Sequence, residues 1–131
     1  MHTEILILAW GAVLLFVHIT VAAHLRTRQY GTAWNMGARD ETLPPINPVA
    51  GRALRAQANF AETLPIAVIA LAGTVLAGRT GDTTALGGWI WLGARVVYLP
   101  LYLAGIPAVR TLVYLVSIVG LGMALWPLLR P

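Results

Sequence analysis

Two groups of polar side chains have the spacing of a helical stripe in a chain that is otherwise strongly apolar. Residues three or four positions apart lie on the same face of a helix. Arginine binds carboxylates and phosphates through paired hydrogen bonds. Because arginine outnumbers the nearby acidic residues, the pattern favours an anionic ligand. The first stripe comprises Arg52, Arg55, Asn59 and Glu62, the second comprises Arg95, Tyr98 and Tyr102, and Arg110 follows the second.

The composition is that of an integral membrane protein. The 131 residues are 58% hydrophobic and 11% charged, whereas soluble domains are about 25% charged. All nine basic residues are arginine, and they are scattered between and within apolar segments, so nucleic acid is not an expected partner. Cysteine is absent, so any thiol chemistry must use a thiol supplied by the substrate. His18 and His24 have no acidic residue near them, and we expect no metal site.

Four apolar segments are long enough to cross a bilayer, which takes about 20 helical residues. They cover about residues 5–24, 49–77, 85–104 and 108–129. Polar segments, or short turns rich in glycine and proline, connect them. The sequence contains no internal repeat. We therefore expect residues 1–131 to form one all-α integral membrane domain, a bundle of four transmembrane helices.

The placement of arginine predicts how the bundle is oriented in the membrane. Most arginines flank the connection between the first two spans, whereas Arg79 and Arg130 lie on the opposite side. Positively charged segments stay on the cytoplasmic side, so both termini are expected to be non-cytoplasmic. Trp89, Trp91 and Trp126 then lie near the outer interface, where tryptophan is enriched.

The two polar stripes are expected to face each other inside the membrane. Helical rise puts Glu62 about 22 Å and Tyr98 about 20 Å from the outer ends of their spans. An ionisable side chain at such depth costs about 2.5 to 3.5 kcal/mol and faces a partner or an aqueous cavity. One alternative to a ligand site is that Glu62 and Arg95 pair with each other while Asn59 and the tyrosines hydrogen-bond across helices. That pairing leaves the other arginines of the stripe unexplained.

The polar motifs resemble those of the MAPEG family, the membrane-associated proteins in eicosanoid and glutathione metabolism. The matching segments are RALRAQANFAETLP at 52–65, ARVVYLPLY at 94–102 and GIPAVR at 105–110. Chain length, the four spans and the polar first connection are similar as well. The resemblance implies a homotrimer of four-helix subunits that binds glutathione between neighbouring subunits near the cytoplasmic side. It also implies a prokaryotic-type member, expected in a bacterial inner membrane.

The resemblance implies a role for each matched residue. Arg110 matches the arginine that stabilises the glutathione thiolate, and Arg95 matches a mainly structural arginine. Thr63 stands where several eicosanoid-forming members have tyrosine, and the first connection is longer than theirs. Both differences argue against leukotriene or prostaglandin synthesis. The implied glutathione-binding residues are Arg52, Arg55, Gln57, Asn59, Glu62, Tyr98 and Tyr102. For Arg52, however, contact with lipid headgroups is the favoured explanation.

Three functions are compatible with these residues. The first is a glutathione-dependent transferase or peroxidase, a detoxification enzyme acting on lipophilic electrophiles or lipid hydroperoxides. The second is a non-catalytic member of the same family that binds lipids or partner proteins. The third is a four-helix exporter that uses Glu62, although the neighbouring arginines would repel an organic cation.

Overall fold

The computed structural model describes residues 1–131, which form five helices and no strand. All but the short α2 are long and apolar enough to span a membrane. This result confirms the expected all-α integral membrane fold with four spanning helices. In chain order the helices are α1 (Thr3–Tyr30), α2 (Thr32–Met36), α3 (Pro48–Leu76), α4 (Asp82–Ala104) and α5 (Pro107–Leu129).

The first helix is longer than the apolar segment that predicts it. The sequence suggests an end near His24, where polar residues begin, but α1 continues to Tyr30. Arginine is a good helix former, so a change from apolar to basic residues does not end a helix. Gly31 ends it, with a backbone φ of 93° that side chains rarely tolerate. The connection expected to be a loop also contains α2, whereas the other three spans begin and end within three residues of their expected bounds.

The two central helices of the bundle are α3 and α4. Helix α1 packs against both of them, α5 packs most extensively on α4 and also contacts α3, and α1 and α5 do not touch each other. The apolar core includes Ile7, Phe60, Leu71 and Trp91, all fully buried. Large apolar side chains such as Phe16 point outward, as expected for helices that contact lipid.

Helices α4 and α5 approach each other through glycine. A methyl group built on Gly120 would lie 2.6 Å from the carbonyl oxygen of Gly87 and 2.7 Å from the backbone nitrogen of Trp91. Small residues allow such contact between backbones in membrane helices. The absence of side chains at these two positions therefore sets the distance between the two helices.

Two polar contacts place both chain termini at the same end of the bundle. The hydroxyl of Thr84, in the first turn of α4, donates a hydrogen bond to the carboxylate of Glu4, in the first turn of α1. Arg79, in the turn between α3 and α4, donates to the carbonyl oxygen of Pro127 at 2.9 Å and also to that of Arg130. The arginine-rich connection between α1 and α3 therefore lies at the other end.

Candidate functional site

The polar stripes of α3 and α4 meet through Arg95 and Asn59. Arg95 is completely buried, and its Nη2 atom donates a hydrogen bond of 2.7 Å to Oδ1 of Asn59. The Nε and Nη1 atoms of Arg95 have no hydrogen-bond partner. Since Oδ1 of Asn59 accepts from the guanidinium, the amide group of Asn59 keeps its two N–H donors free for another contact.

Three aromatic rings surround the Arg95 guanidinium. Its central carbon, Cζ, lies 4.4 Å from the ring centroid of Tyr98, 5.3 Å from that of Phe60 and 5.6 Å from that of Tyr114. A cation within about 6 Å of an aromatic face is attracted by the ring quadrupole. These rings, drawn from α3, α4 and α5, stabilise a buried charge that has no carboxylate beside it.

The expected alternative, an ion pair between Glu62 and Arg95, is wrong. Glu62 is exposed on the single chain, whereas Arg95 is completely buried and bonds only to Asn59. Three helical residues turn the direction of a side chain by about 300°, so Glu62 points about 60° away from Asn59 around α3. This rotation takes the carboxylate away from α4.

A second guanidinium, that of Arg110, lies near the end of α4 beyond Tyr98 and Tyr102. Tyr98 and Tyr102 pack edge to face, with ring centroids 5.4 Å apart. Cζ of Arg110 lies 4.5 Å from the ring centroid of Tyr102, which connects the first turn of α5 to the last turns of α4. Both Tyr102 and Arg110 are half-buried. A ligand can therefore reach Tyr102 and Arg110, whereas it cannot reach the buried guanidinium of Arg95.

Arg52 is held by the end of α4. Its Nε atom donates a hydrogen bond of 3.0 Å to the carbonyl oxygen of Leu103, and its guanidinium lies against Gly105, which ends the helix with a φ of 73°. Carbonyl groups at a helix C-terminus attract cations. Arg52 thus has a structural role within the chain, in addition to the two roles considered from the sequence, which were contact with lipid headgroups and contact with a ligand.

The remaining predicted binding residues face outward from a single chain. Arg55 and Glu62 are exposed and Gln57 is half-buried. The three main grooves have volumes of about 470, 510 and 310 Å³, and none is lined by any of the eight predicted site residues. One chain therefore brings together Asn59, Arg95 and the tyrosines but does not enclose a pocket around Glu62.

Sequence reasoning missed the aromatic residues that surround Arg95. Neither Tyr114 nor Phe60 belongs to the two predicted polar stripes. A signal was present, since Tyr114 lies one helical turn after Arg110 and Phe60 directly follows Asn59. Buried arginine without a nearby acid is a reason to look for aromatic partners.

Replacing Asn59 with leucine should destabilise the protein, and removing Arg95 as well should restore most of the loss. Asn59→Leu leaves a buried guanidinium without its hydrogen-bond acceptor, and we expect a cost of about 2 to 3 kcal/mol in the free energy of unfolding. The double variant Asn59→Leu/Arg95→Met removes the buried charge itself. Unfolding in detergent measures both. Gln57→Leu is the matched control and should have little effect, and equal losses in the single and double variants would contradict the interpretation.

A family model matches the chain over almost its whole length. It is the model of the MAPEG family, and the match covers residues 6–130. No curated protein and no solved structure gives a significant match. The match agrees with the four membrane-spanning helices and with the motifs on α3, α4 and α5. The chain therefore belongs to the MAPEG family.

Proposed function

We propose that this protein is a glutathione-dependent membrane transferase or peroxidase that acts on lipophilic electrophiles or lipid hydroperoxides. The MAPEG family includes enzymes of this kind as well as non-catalytic members. The observation that carries the proposal is the position of Arg110, whose guanidinium lies 4.5 Å from the ring of Tyr102 in a half-buried, accessible place. A fixed guanidinium beside an open surface is suited to stabilising an anion.

The outward-facing residues match the charges of glutathione, which has two carboxylates, one ammonium group and one thiol. Arg55 would bind a carboxylate through paired hydrogen bonds, and Glu62 would accept from the ammonium group. The free N–H donors of Asn59 would bind a peptide carbonyl. Gln57 and Arg52 would lie at the rim, with Tyr98 and Tyr102 on the facing wall.

The exposure of Glu62 supports a site formed between subunits. Glu62 lies near the middle of α3 and is exposed on the single chain. A carboxylate at that depth facing lipid would be costly, so a neighbouring subunit or an aqueous cavity must cover it. A homotrimer with glutathione between subunits, as the family resemblance implies, supplies such a cover.

Arg110 would increase the fraction of glutathione present as thiolate. A free thiol has a pKa of about 8.5 and is about 3% ionised at neutral pH, and a nearby guanidinium lowers that pKa. In the transferase reaction the thiolate sulfur forms a bond to an electrophilic carbon, and the leaving group departs with its electron pair. In the peroxidase reaction the hydroperoxide is reduced to an alcohol and water, while two glutathione molecules are oxidised to the disulfide. Lipophilic co-substrates would reach the site from the bilayer.

Titration of the purified oligomer with glutathione tests this function. We expect binding at millimolar glutathione or below, together with the ultraviolet absorbance of a thiolate. The control ligand is the analogue in which serine replaces the cysteine of glutathione; it should bind without that absorbance. If glutathione does not bind, the proposal is rejected. If it binds without forming a thiolate, the non-catalytic alternative replaces the enzyme.

A further inference from the structure

A separate cluster of basic and aromatic residues lies at the arginine-rich end of α1. Cζ of Arg26 lies 5.7 Å from the ring centroid of Trp34, and Cζ of Arg39 lies 4.9 Å from the same centroid. Tyr30 packs edge to face on this indole at 5.0 Å. We call Arg26, Tyr30, Trp34 and Arg39 the arginine–tryptophan cluster. It joins the end of α1, the short α2 and the segment that follows α2.

Arg39 is held in the cluster by an unusual backbone conformation. Its φ of 63° lies in the left-handed region, which residues other than glycine seldom adopt. Its guanidinium donates to the backbone oxygen of Asn35 at 3.2 Å from Nε and 2.9 Å from Nη2, and also to the side-chain oxygen of Asn35. These bonds hold the guanidinium beside the indole, while Arg39 itself remains exposed.

Two buried donors in the cluster lack an acceptor. They are Nε of Arg26 and Nε1 of Trp34, neither of which has a hydrogen-bond partner within the chain. A buried donor without a partner is destabilising, and most such groups in proteins are satisfied. Asp40 and Glu41, the acidic residues nearest in sequence, are exposed and do not accept from Nε of Arg26. Both of these atoms are covered by the chain itself, whereas the Nη atoms of Arg26 are accessible and make no hydrogen bond within the chain. The cluster thus offers the Nη groups and the positive charge of Arg26 to an external acceptor.

The position of the cluster indicates which acceptor it meets. The apolar part of α1 ends near His24, so Arg26 lies at the level of the lipid headgroups. Tryptophan is enriched at that level, and arginines just beyond a span attract anionic lipids. The headgroups of anionic lipids carry phosphate, which guanidinium binds with paired hydrogen bonds.

We propose that the arginine–tryptophan cluster binds the phosphate of an anionic phospholipid at the membrane surface. The accessible Nη atoms of Arg26 donate hydrogen bonds to the phosphate oxygens, the Trp34 ring packs against both guanidinium groups, and Arg39 adds positive charge. The site is independent of the proposed glutathione function.

Binding of phosphatidylglycerol to the full-length protein in neutral detergent tests the site, with phosphatidylcholine as the reference lipid and native mass spectrometry as the readout. The unaltered protein should retain phosphatidylglycerol preferentially. Arg26→Gln and Arg39→Gln should each weaken that binding by about fivefold, as expected for the loss of one juxtamembrane charge. Binding of phosphatidylcholine should not change. Arg130→Gln is the matched control, since Arg130 also stacks on a tryptophan, at 5.2 Å, at the other end of the bundle.

Three results would overturn the proposal. The first is unchanged phosphatidylglycerol binding in both cluster variants while circular dichroism confirms that they are folded. The second is displacement of the lipid by millimolar inorganic phosphate, which would assign the site to a soluble phosphate compound. The third is loss of glutathione affinity in Arg26→Gln, which would place Arg26 in the glutathione site. Unchanged glutathione affinity supports the assignment to lipid.

Discussion

Replacing Arg110 with leucine is expected to reduce the thiolate signal of bound glutathione by at least about tenfold. A neighbouring guanidinium that lowers the thiol pKa from about 8.5 to about 6.5 would raise the ionised fraction at neutral pH from about 3% to about 75%. Without that charge the fraction should return close to its value in water. Because Arg55, Asn59 and Glu62 would still bind the peptide, the affinity for glutathione should fall much less than the thiolate signal.

Arg130→Leu is the matched control for this prediction. Arg130 directly follows α5, whereas Arg110 lies in its first turn, and each guanidinium stacks on an aromatic ring, at 5.2 Å from Trp126 and 4.5 Å from Tyr102 respectively. The two substitutions remove the same charge from opposite ends of one helix. Absorbance and calorimetric titrations of both variants give the comparison. A thiolate signal that persists in Arg110→Leu would remove Arg110 from the catalytic role.

Replacing Gly120 with valine should destabilise the bundle by about 3 kcal/mol or more, because overpacking against backbone cannot relax as flexible side chains do. The first carbon of the new side chain would lie 2.6 Å from the carbonyl oxygen of Gly87 and 2.7 Å from the backbone nitrogen of Trp91. Helices α4 and α5 would have to move apart. Since α4 carries the tyrosines and α5 carries Arg110, glutathione binding should weaken as well. Thermal unfolding in detergent measures the first effect.

Gly122→Val provides the control on the same helix. Gly122 is exposed, and nothing lies within 4 Å of a carbon added to it. This variant places the same side chain two residues away, on a surface that faces lipid, and should unfold at nearly the temperature of the original protein. Equal destabilisation by the two substitutions would indicate that valine itself, and not the contact between α4 and α5, is responsible.

The spanning helices could be predicted because length and hydropathy decide them almost alone. Twenty consecutive apolar residues have few alternatives in a bilayer. The end of α1 could not be placed in the same way, since hydropathy marks where the membrane stops and not where the helix stops. The helix continues beyond Arg26 to Tyr30 because arginine favours helix and Gly31 is the first residue that does not.

In the candidate site, too, features set within one helix could be predicted, whereas features set by packing between helices could not. Spacing along one helix correctly indicated that Asn59 and Arg95 belong to facing stripes. Deciding whether Glu62 pairs with Arg95 requires knowing which face of α3 points toward α4. That orientation depends on how α3 packs against α1, α4 and α5 together. The three rings around Arg95 come from different helices for the same reason, so no stretch of sequence contains the pattern.

The shared location of the two chain termini has a practical use. Because Glu4 contacts Thr84 and Arg79 contacts Pro127 at one end of the bundle, the last residue of one copy and the first of another can be joined by a flexible linker that never crosses the bilayer. Tandem polypeptides made in this way would carry a substitution in one chosen copy only. Glutathione binding measured as altered copies are added one at a time would reveal whether each proposed glutathione site draws residues from two neighbours.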